Sequence, residues 1–224
     1  MQVLLSAATP FEIGPAIQWL EERFKKEEQT LFTKGELKVQ VMITGVGMMS
    51  TAWALGRFLA AQKPGFAINA GIAGAIDRNL QLGDVVQVVS EQMADLGVEE
   101  SDGSFSDLFA LALIQPNEFP FQQGTLENPY ATQTSFLPNV SGITVNKVHG
   151  SKPSIDQLAL DFPKAQVESM EGALFFYACL QAQVPFVQIR SISNYVEPRN
   201  RNAWRISEAI ENLNQVLIQM LREF

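Results

Sequence analysis

The chain has 224 residues, 46% apolar and 18% charged, enough to bury a full core and still form a cleft. Its 16 basic and 24 acidic side chains leave a formal charge of −8, which argues against a polyanion binder, since that needs a basic face. One cysteine, Cys179, and one histidine, His149, exclude an internal disulfide, a cysteine zinc cluster and two-histidine metal motifs, and they make any Ser-His-Asp triad depend on His149.

The elements read as follows in chain order. Val3–Ala7 is almost wholly apolar, as a strand covered on both faces is, and Thr9-Pro10 ends it. The start lacks a basic flank and no run reaches about 18 apolar residues, so neither a signal peptide nor a transmembrane helix is expected, and a reduced cytoplasm is the expected compartment. Gly14-Pro15 opens a helix to Arg23, with Pro15 suited to a first turn. Leu31–Thr33 and Leu37–Ile43 alternate around Lys34-Gly35 as a hairpin does. A helix is predicted from about Ser50 to Gln62, with Ala52, Leu55 and Leu59 at helical spacing. Phe66–Asn69 is a second buried strand that runs into a Gly-rich turn, Gly71-Ile72-Ala73-Gly74, and Val85–Val89 is a third. Residues 95–138 are polar and rich in turn formers, and predict long connections with one short helix. Gly142–Val148 and Ala165–Glu168 read as strands, Glu171–Gln183 as a helix, Phe186–Ile192 as a strand and Ala203–Arg222 as a helix. In that last helix Ile206, Ile210, Leu213, Leu217 and Met220 form one stripe. Cys179 falls in an apolar helix and reads as a buried thiol without redox work; Trp53 and Trp204 read as core or interface anchors.

Strands alternating with helices predict an α/β fold of three layers, α/β/α, with a mixed central sheet, in one domain spanning 1–224. Ligands of such sheets sit beyond the carboxyl ends of strands. Four segments therefore stand out: Thr9–Glu12, Asn69–Gly74, Glu168–Glu171 and Ser191–Asn194. Singly, each has an ordinary structural explanation. Glycines permit turns, acids at helix starts complement the dipole, Asn194 suits a turn and Met170 suits a core.

Together, in this order, they resemble the nucleoside phosphorylase/nucleosidase superfamily, in the branch that includes methylthioadenosine/adenosylhomocysteine nucleosidase and futalosine hydrolase. The resemblance covers nearly the whole chain except 95–138. That branch opens with a strand and an acidic stretch whose last Glu falls at Glu12. Its Asn-Thr-Gly-Ser-Ala-Gly stretch appears as Asn69-Ala70-Gly71-Ile72-Ala73-Gly74. Its Val-Glu-Met-Glu-Ala signature appears as Val167-Glu168-Ser169-Met170-Glu171-Gly172-Ala173, with one residue inserted. Its Val-Pro-Phe-x-x-x-Arg-x-Ile-Ser-Asp segment appears as Val184 to Asn194, ending in Asn.

The resemblance implies cleavage of a purine N-glycosidic bond through a ribosyl-cation-like transition state. Glu171 would grip the ribose hydroxyls, with Met170 packed on the sugar and Gly71, Ile72 and Ser193 lining the substrate. Glu12 would hold a water and take its proton, a role whose structural rival is a solvated first-turn acid. Glu168 is shifted by the inserted Ser169, and pairing with Arg190, which lies in an apolar strand, is its competing role.

Two departures matter. Family members acting on 6-aminopurines carry Asp where this chain has Asn194. A carboxamide donates hydrogen bonds but yields no proton, which suits N7 and O6 of a 6-oxopurine. Phosphorolytic members grip phosphate with arginines, and Thr9–Ile13 holds none, so water is the expected nucleophile. A basic tail follows Asn194, and Arg199, Arg201, Lys147 and His149 are candidates for a substrate carboxylate. No Phe to stack on a purine appears around Val145–His149. No metal or organic cofactor is implied. The expected partner is a small-molecule purine nucleoside, with no nucleic acid and no membrane, and the resemblance implies a homo-oligomer. The rival readings are a methylthioadenosine-type nucleosidase and a catalytically silent nucleoside-binding protein.

Overall fold

The structure is a computed structural model and describes residues 1–131 and 136–224. In chain order its elements are β1 (Gln2–Ala7), α1 (Pro10–Arg23), β2 (Lys25–Lys26), β3 (Leu31–Lys34), β4 (Leu37–Ile43), α2 (Met48–Ala61), β5 (Phe66–Ala75), β6 (Val85–Met93), β7 (Gly97–Glu99), β8 (Phe105–Asp107), β9 (Phe121–Gln122), β10 (Thr125–Glu127), β11 (Asn139–Thr144), α3 (Lys152–Asp161), β12 (Val167–Ser169), α4 (Gly172–Gln181), β13 (Phe186–Tyr195) and α5 (Ile206–Arg222). Among the described residues, all strands but β7 and β8 join one mixed sheet, ordered β2-β3-β4-β1-β5-β12-β11-β6-β10-β9, with β13 against β5 and β6.

Helices cover both faces, as the α/β/α expectation requires. On one face Ile13 and Leu20 of α1 and Leu213 and Leu217 of α5 pack on β1, β5 and β13. On the other, Leu55 of α2 and Phe175, Phe176 and Cys179 of α4 pack on the sheet. Leu213 and Leu217 are fully buried, and each such side chain contributes about 1.5–3 kcal/mol. The β3–β4 hairpin turns at Gly35, whose φ of +59° suits a residue without a Cβ.

The site is positioned by β5. Its first half, Phe66–Asn69, pairs with β1, and its end, Gly74-Ala75, pairs with β12. β13 runs along its other edge throughout. The edge between Asn69 and Gly74 is thus left without a strand, at the point where the sheet changes partners. Beyond it, β5, β12, β11, β6 and β13 pair in a closed cycle.

Several predicted boundaries are corrected. The glycines at 71 and 74 lie inside β5 rather than in a turn, because pairing with β13 continues through them. Ser191, Ser193 and Asn194 likewise lie within β13. The first helix starts at Pro10 and kinks at Ile13 before Pro15. α3 was not foreseen, since only Leu158 of it is buried. Segment 95–138 holds β7 to β10 among its described residues, and 132–135 lie outside them.

Candidate active site

Glu12 sits where the edge of β5 is open. Its Oε1 accepts the Ile72 N–H at 3.2 Å, a strand donor that no neighbouring strand takes. Its Oε2 accepts the Thr9 N–H at 2.9 Å and the Thr9 hydroxyl at 3.0 Å, forming a capping box at the start of α1. At 8% exposure it is not a solvated first-turn acid. Its backbone is fixed from the far end of the chain. In a regular helix the Ala16 N–H would bond to the Glu12 carbonyl. Here the Asn214 amide is inserted between them: Nδ2 donates to Glu12 O at 2.8 Å, and Oδ1 accepts the Ala16 N–H at 2.9 Å.

Glu12 and Arg190 both approach Gly71, without an ion pair between them. A Cβ at position 71 would lie 2.9 Å from Glu12 Oε1 and 3.5 Å from Arg190 Nη1, so the glycine makes room for both groups. Arg190 is 2% exposed. Burial pulls its pKa down, and the charges of Glu171, Glu91 and Glu12 oppose that. Glu91 is fully buried and accepts Thr144 Oγ1 at 2.9 Å and Gln188 Nε2 at 2.6 Å. Desolvation raises its pKa to about 7 against the pull of Arg190. Glu171 heads α4 and accepts the Gly47 N–H at 2.8 Å, tying it to the start of α2. Burial raises its pKa, while that bond and Arg190 act the other way. Three carboxyl groups thus act on one guanidinium through space, and none is paired with it directly. An incoming phosphate would meet repulsion there, whereas a water would find several acceptors.

A second cluster lies about 10 Å further along β5, three residues at the strand rise. Register places Glu168 of β12, Gly74 of β5 and Asn194 of β13 side by side in one row. All three line one cavity with His149, Arg199 and Trp204. Asn194 reaches this position because the register slips at Ser193, a bulge that re-aims the strand end. Ser193 is buried, and its one hydroxyl proton lies between Asn194 Oδ1 (2.8 Å) and Ala73 O (3.2 Å), the shorter contact reaching the amide from behind. With Oδ1 so held, Nδ2 donates one hydrogen to Tyr195 O at 3.0 Å and keeps a second.

The expected Glu168–Arg190 pair does not form. The two stand on opposite sides of β5 and three rows apart, at Gly74 and Gly71. Glu168 instead accepts the His149 backbone N–H at 3.1 Å, and its other oxygen meets His149 Nδ1. Met170 is half-buried at the bend between β12 and α4. Ile72 is half-buried beside Glu12. Arg199 and Arg201 are exposed, with guanidinium carbons 5.3 and 5.7 Å from the Trp204 ring. Lys147 is exposed. Trp204, read as an anchor, instead lines the cavity as an aromatic wall, and Trp53 is 68% exposed rather than core. Glu91 was missed because its strand was read as ending at Val89; the Ser90-Glu91-Gln92-Met93 continuation was the available clue. The Cys179 thiol is buried, which pushes its pKa up and leaves it inert.

A model of the phosphorylase superfamily matches residues 2–222. The chain belongs to that superfamily. It is 33% identical over 183 residues to the futalosine hydrolase of Thermus thermophilus, covering 80% of each chain. It is 28% identical over 192 residues to the 5′-methylthioadenosine/S-adenosylhomocysteine nucleosidase of Glaesserella parasuis, covering 83% of this chain and 81% of that one. Among solved structures, native futalosine hydrolase of Helicobacter pylori matches with a TM-score of 0.79 at 17% identity, over 100% of this chain and 98% of that one. A Helicobacter pylori nucleosidase mutant with 5′-methylthioadenosine in its active site matches equally, with a TM-score of 0.79 at 18% identity, over 100% and 99% of the two chains. At these identities the superfamily's structural likeness speaks for the fold.

Proposed function

We propose that residues 1–224 form one nucleosidase domain that hydrolyses the N-glycosidic bond of futalosine, releasing hypoxanthine and dehypoxanthine futalosine. The activity class has the support of relatives named as nucleosidases and hydrolases. The substrate reading is carried by Asn194, a cavity-lining carboxamide whose orientation Ser193 fixes. Its free N–H suits N7 or O6 of a 6-oxopurine as negative charge builds on the leaving base. A 6-aminopurine keeps the N7 acceptor but presents a donor in place of O6, which the amide N–H cannot pair with.

Water is the nucleophile. Glu12, held by three hydrogen bonds, takes its proton as the new C1′–O bond forms, while the C1′–N9 pair leaves with the base as an anion that takes a proton from solvent. Glu171 grips the ribose hydroxyls with Met170 against the sugar, and its charge faces the developing cation. Gly71 and Ile72 close the sugar end, and Trp204 offers the base a flat face. Arg199 and Arg201 meet the substrate carboxylate. Met49, 84% exposed, and Trp53 flank the small residues Ala52 and Gly56 on α2, a face that suits a second copy of the chain in a homo-oligomer. Among the described residues no helix is long and apolar enough to cross a membrane.

The test offers the pure protein futalosine and methylthioadenosine, each with and without phosphate. Hypoxanthine from futalosine, with free sugar and no sugar 1-phosphate, is expected. Adenine release alone would favour the methylthioadenosine reading, and binding without turnover the silent one. Asn194→Asp should shift relative kcat/KM from the 6-oxo toward the 6-amino nucleoside by about tenfold or more. An unchanged preference would remove the argument from residue 194.

A further inference from the structure

We propose that His149, oriented by Glu168, reads the N1–H of the leaving base and so makes the cavity select 6-oxopurines at a second point. The inference rests on the hydrolase reading above and deepens it, since Asn194 covers only the N7/O6 edge.

The geometry is that of an imidazole clamped from one side. Glu168 is 4% exposed, and both its oxygens are engaged by the same residue: one takes the His149 backbone N–H, the other meets ring Nδ1. A carboxylate only accepts, so Nδ1 supplies the proton of that contact. In the neutral ring this tautomer leaves Nε2 with a free lone pair. Nε2 makes no hydrogen bond to any described residue, while the ring lines the cavity shared with Asn194. The backbone N–H that would otherwise be a donor on this wall is already spent on Glu168. This wall therefore offers the base an acceptor.

Beside it runs the row Glu168–Gly74–Asn194. Gly74 has no side chain, and a Cβ there would lie 3.1 Å from Asn194 Nδ2 and 3.0 Å from Val196 Cγ2. The backbones of the two outer members are two strand spacings apart, about 10 Å. One wall donates through the Asn194 amide and the other accepts through His149. Around its six-membered ring a 6-oxopurine carries an acceptor at O6 and a donor at N1–H. A 6-aminopurine carries the reverse, a donor at the amine and an acceptor at N1. Each mismatched contact leaves a buried polar group unpaired. His149 is thus a specificity residue that touches the base, and Glu168 a positioning residue acting through it.

The experiment measures calorimetric binding of hypoxanthine and of 1-methylhypoxanthine to the full chain, to His149→Ala and to Glu168→Ala. The wild type should bind the methylated base at least roughly tenfold more weakly, the loss expected for one buried hydrogen bond. In His149→Ala that ratio should collapse to within about twofold, and Glu168→Ala should collapse it similarly, with the double variant adding little. A merely structural role for Glu168 would lower the melting temperature without moving the ratio. Equal binding of the two bases by the wild type overturns the proposal and needs no variant. So does discrimination that survives in His149→Ala, which would place the acceptor on Glu168 itself. If the wild type releases hypoxanthine from futalosine but shows either result, only this inference falls. If it neither binds hypoxanthine nor cleaves a 6-oxopurine nucleoside, the hydrolase reading falls and takes the inference with it.

Discussion

The two clusters along β5 differ in kind. Around Gly71 the groups are ionisable: Glu12 and the buried Arg190 flank the glycine, and Glu171 and Glu91 act on that guanidinium through space. At Gly74 the wall is built of an amide, an imidazole backed by a carboxylate, and an indole. Breaking a glycosidic bond creates positive charge on the sugar and negative charge on the base, so the same strand meets opposite demands within about 10 Å. The charged end can set the rate, and the dipolar end can set which base leaves. The two ends should therefore fail differently when altered.

Glu12→Gln should give the largest effect, lowering kcat by about 10²–10⁴-fold while the ratio between 6-oxo and 6-amino nucleosides stays put. A changed ratio would mean that the two ends are not separable. Arg190→Met comes next, in stability. It removes a buried positive charge that favours three nearby carboxyl groups through space, and loss of about 1–3 kcal/mol is expected in urea unfolding. A loss below about 1 kcal/mol would place these charges effectively in water.

Glu91→Gln should act through pH. Folded Glu91 holds its proton up to about pH 7, against an ordinary value of 4.5, so its contribution to stability is full below 4.5 and is lost as pH rises through 7. The glutamine variant lacks that loss, so its stability relative to wild type should improve from pH 5 to pH 8. A difference flat across that window would show the carboxylate to be solvated. Gly74→Ala should be the mildest change. Its methyl presses on Asn194 and Val196, and KM should rise a few-fold with a stability cost of about 1–3 kcal/mol. An unaltered KM would mean that the base does not pass over β5 at this residue.

How far the sequence revealed these ends follows from the kind of contact each uses. The layered fold was legible because its buried strands are nearly pure apolar runs and α5 carries one clear stripe. Glu12 and Glu171 were legible because they stand at strand-to-helix junctions within recognisable motifs. The glycines of β5 misled, since glycine suggests a turn, and only the long partner strand β13 keeps them extended. Pairing with Arg190 was a competing role for Glu168 on charge alone, because the register that separates them is a long-range property. Glu91 and Asn214 were invisible for the same reason: one works across the strand ring, the other from the opposite end of the chain.

That last contact has a practical consequence. The proposed base on α1 owes part of its backbone geometry to a side chain 202 positions later, so the chemistry is assembled only when the C-terminal helix docks. A nascent chain still short of α5 would carry the nucleosidase motifs and remain silent.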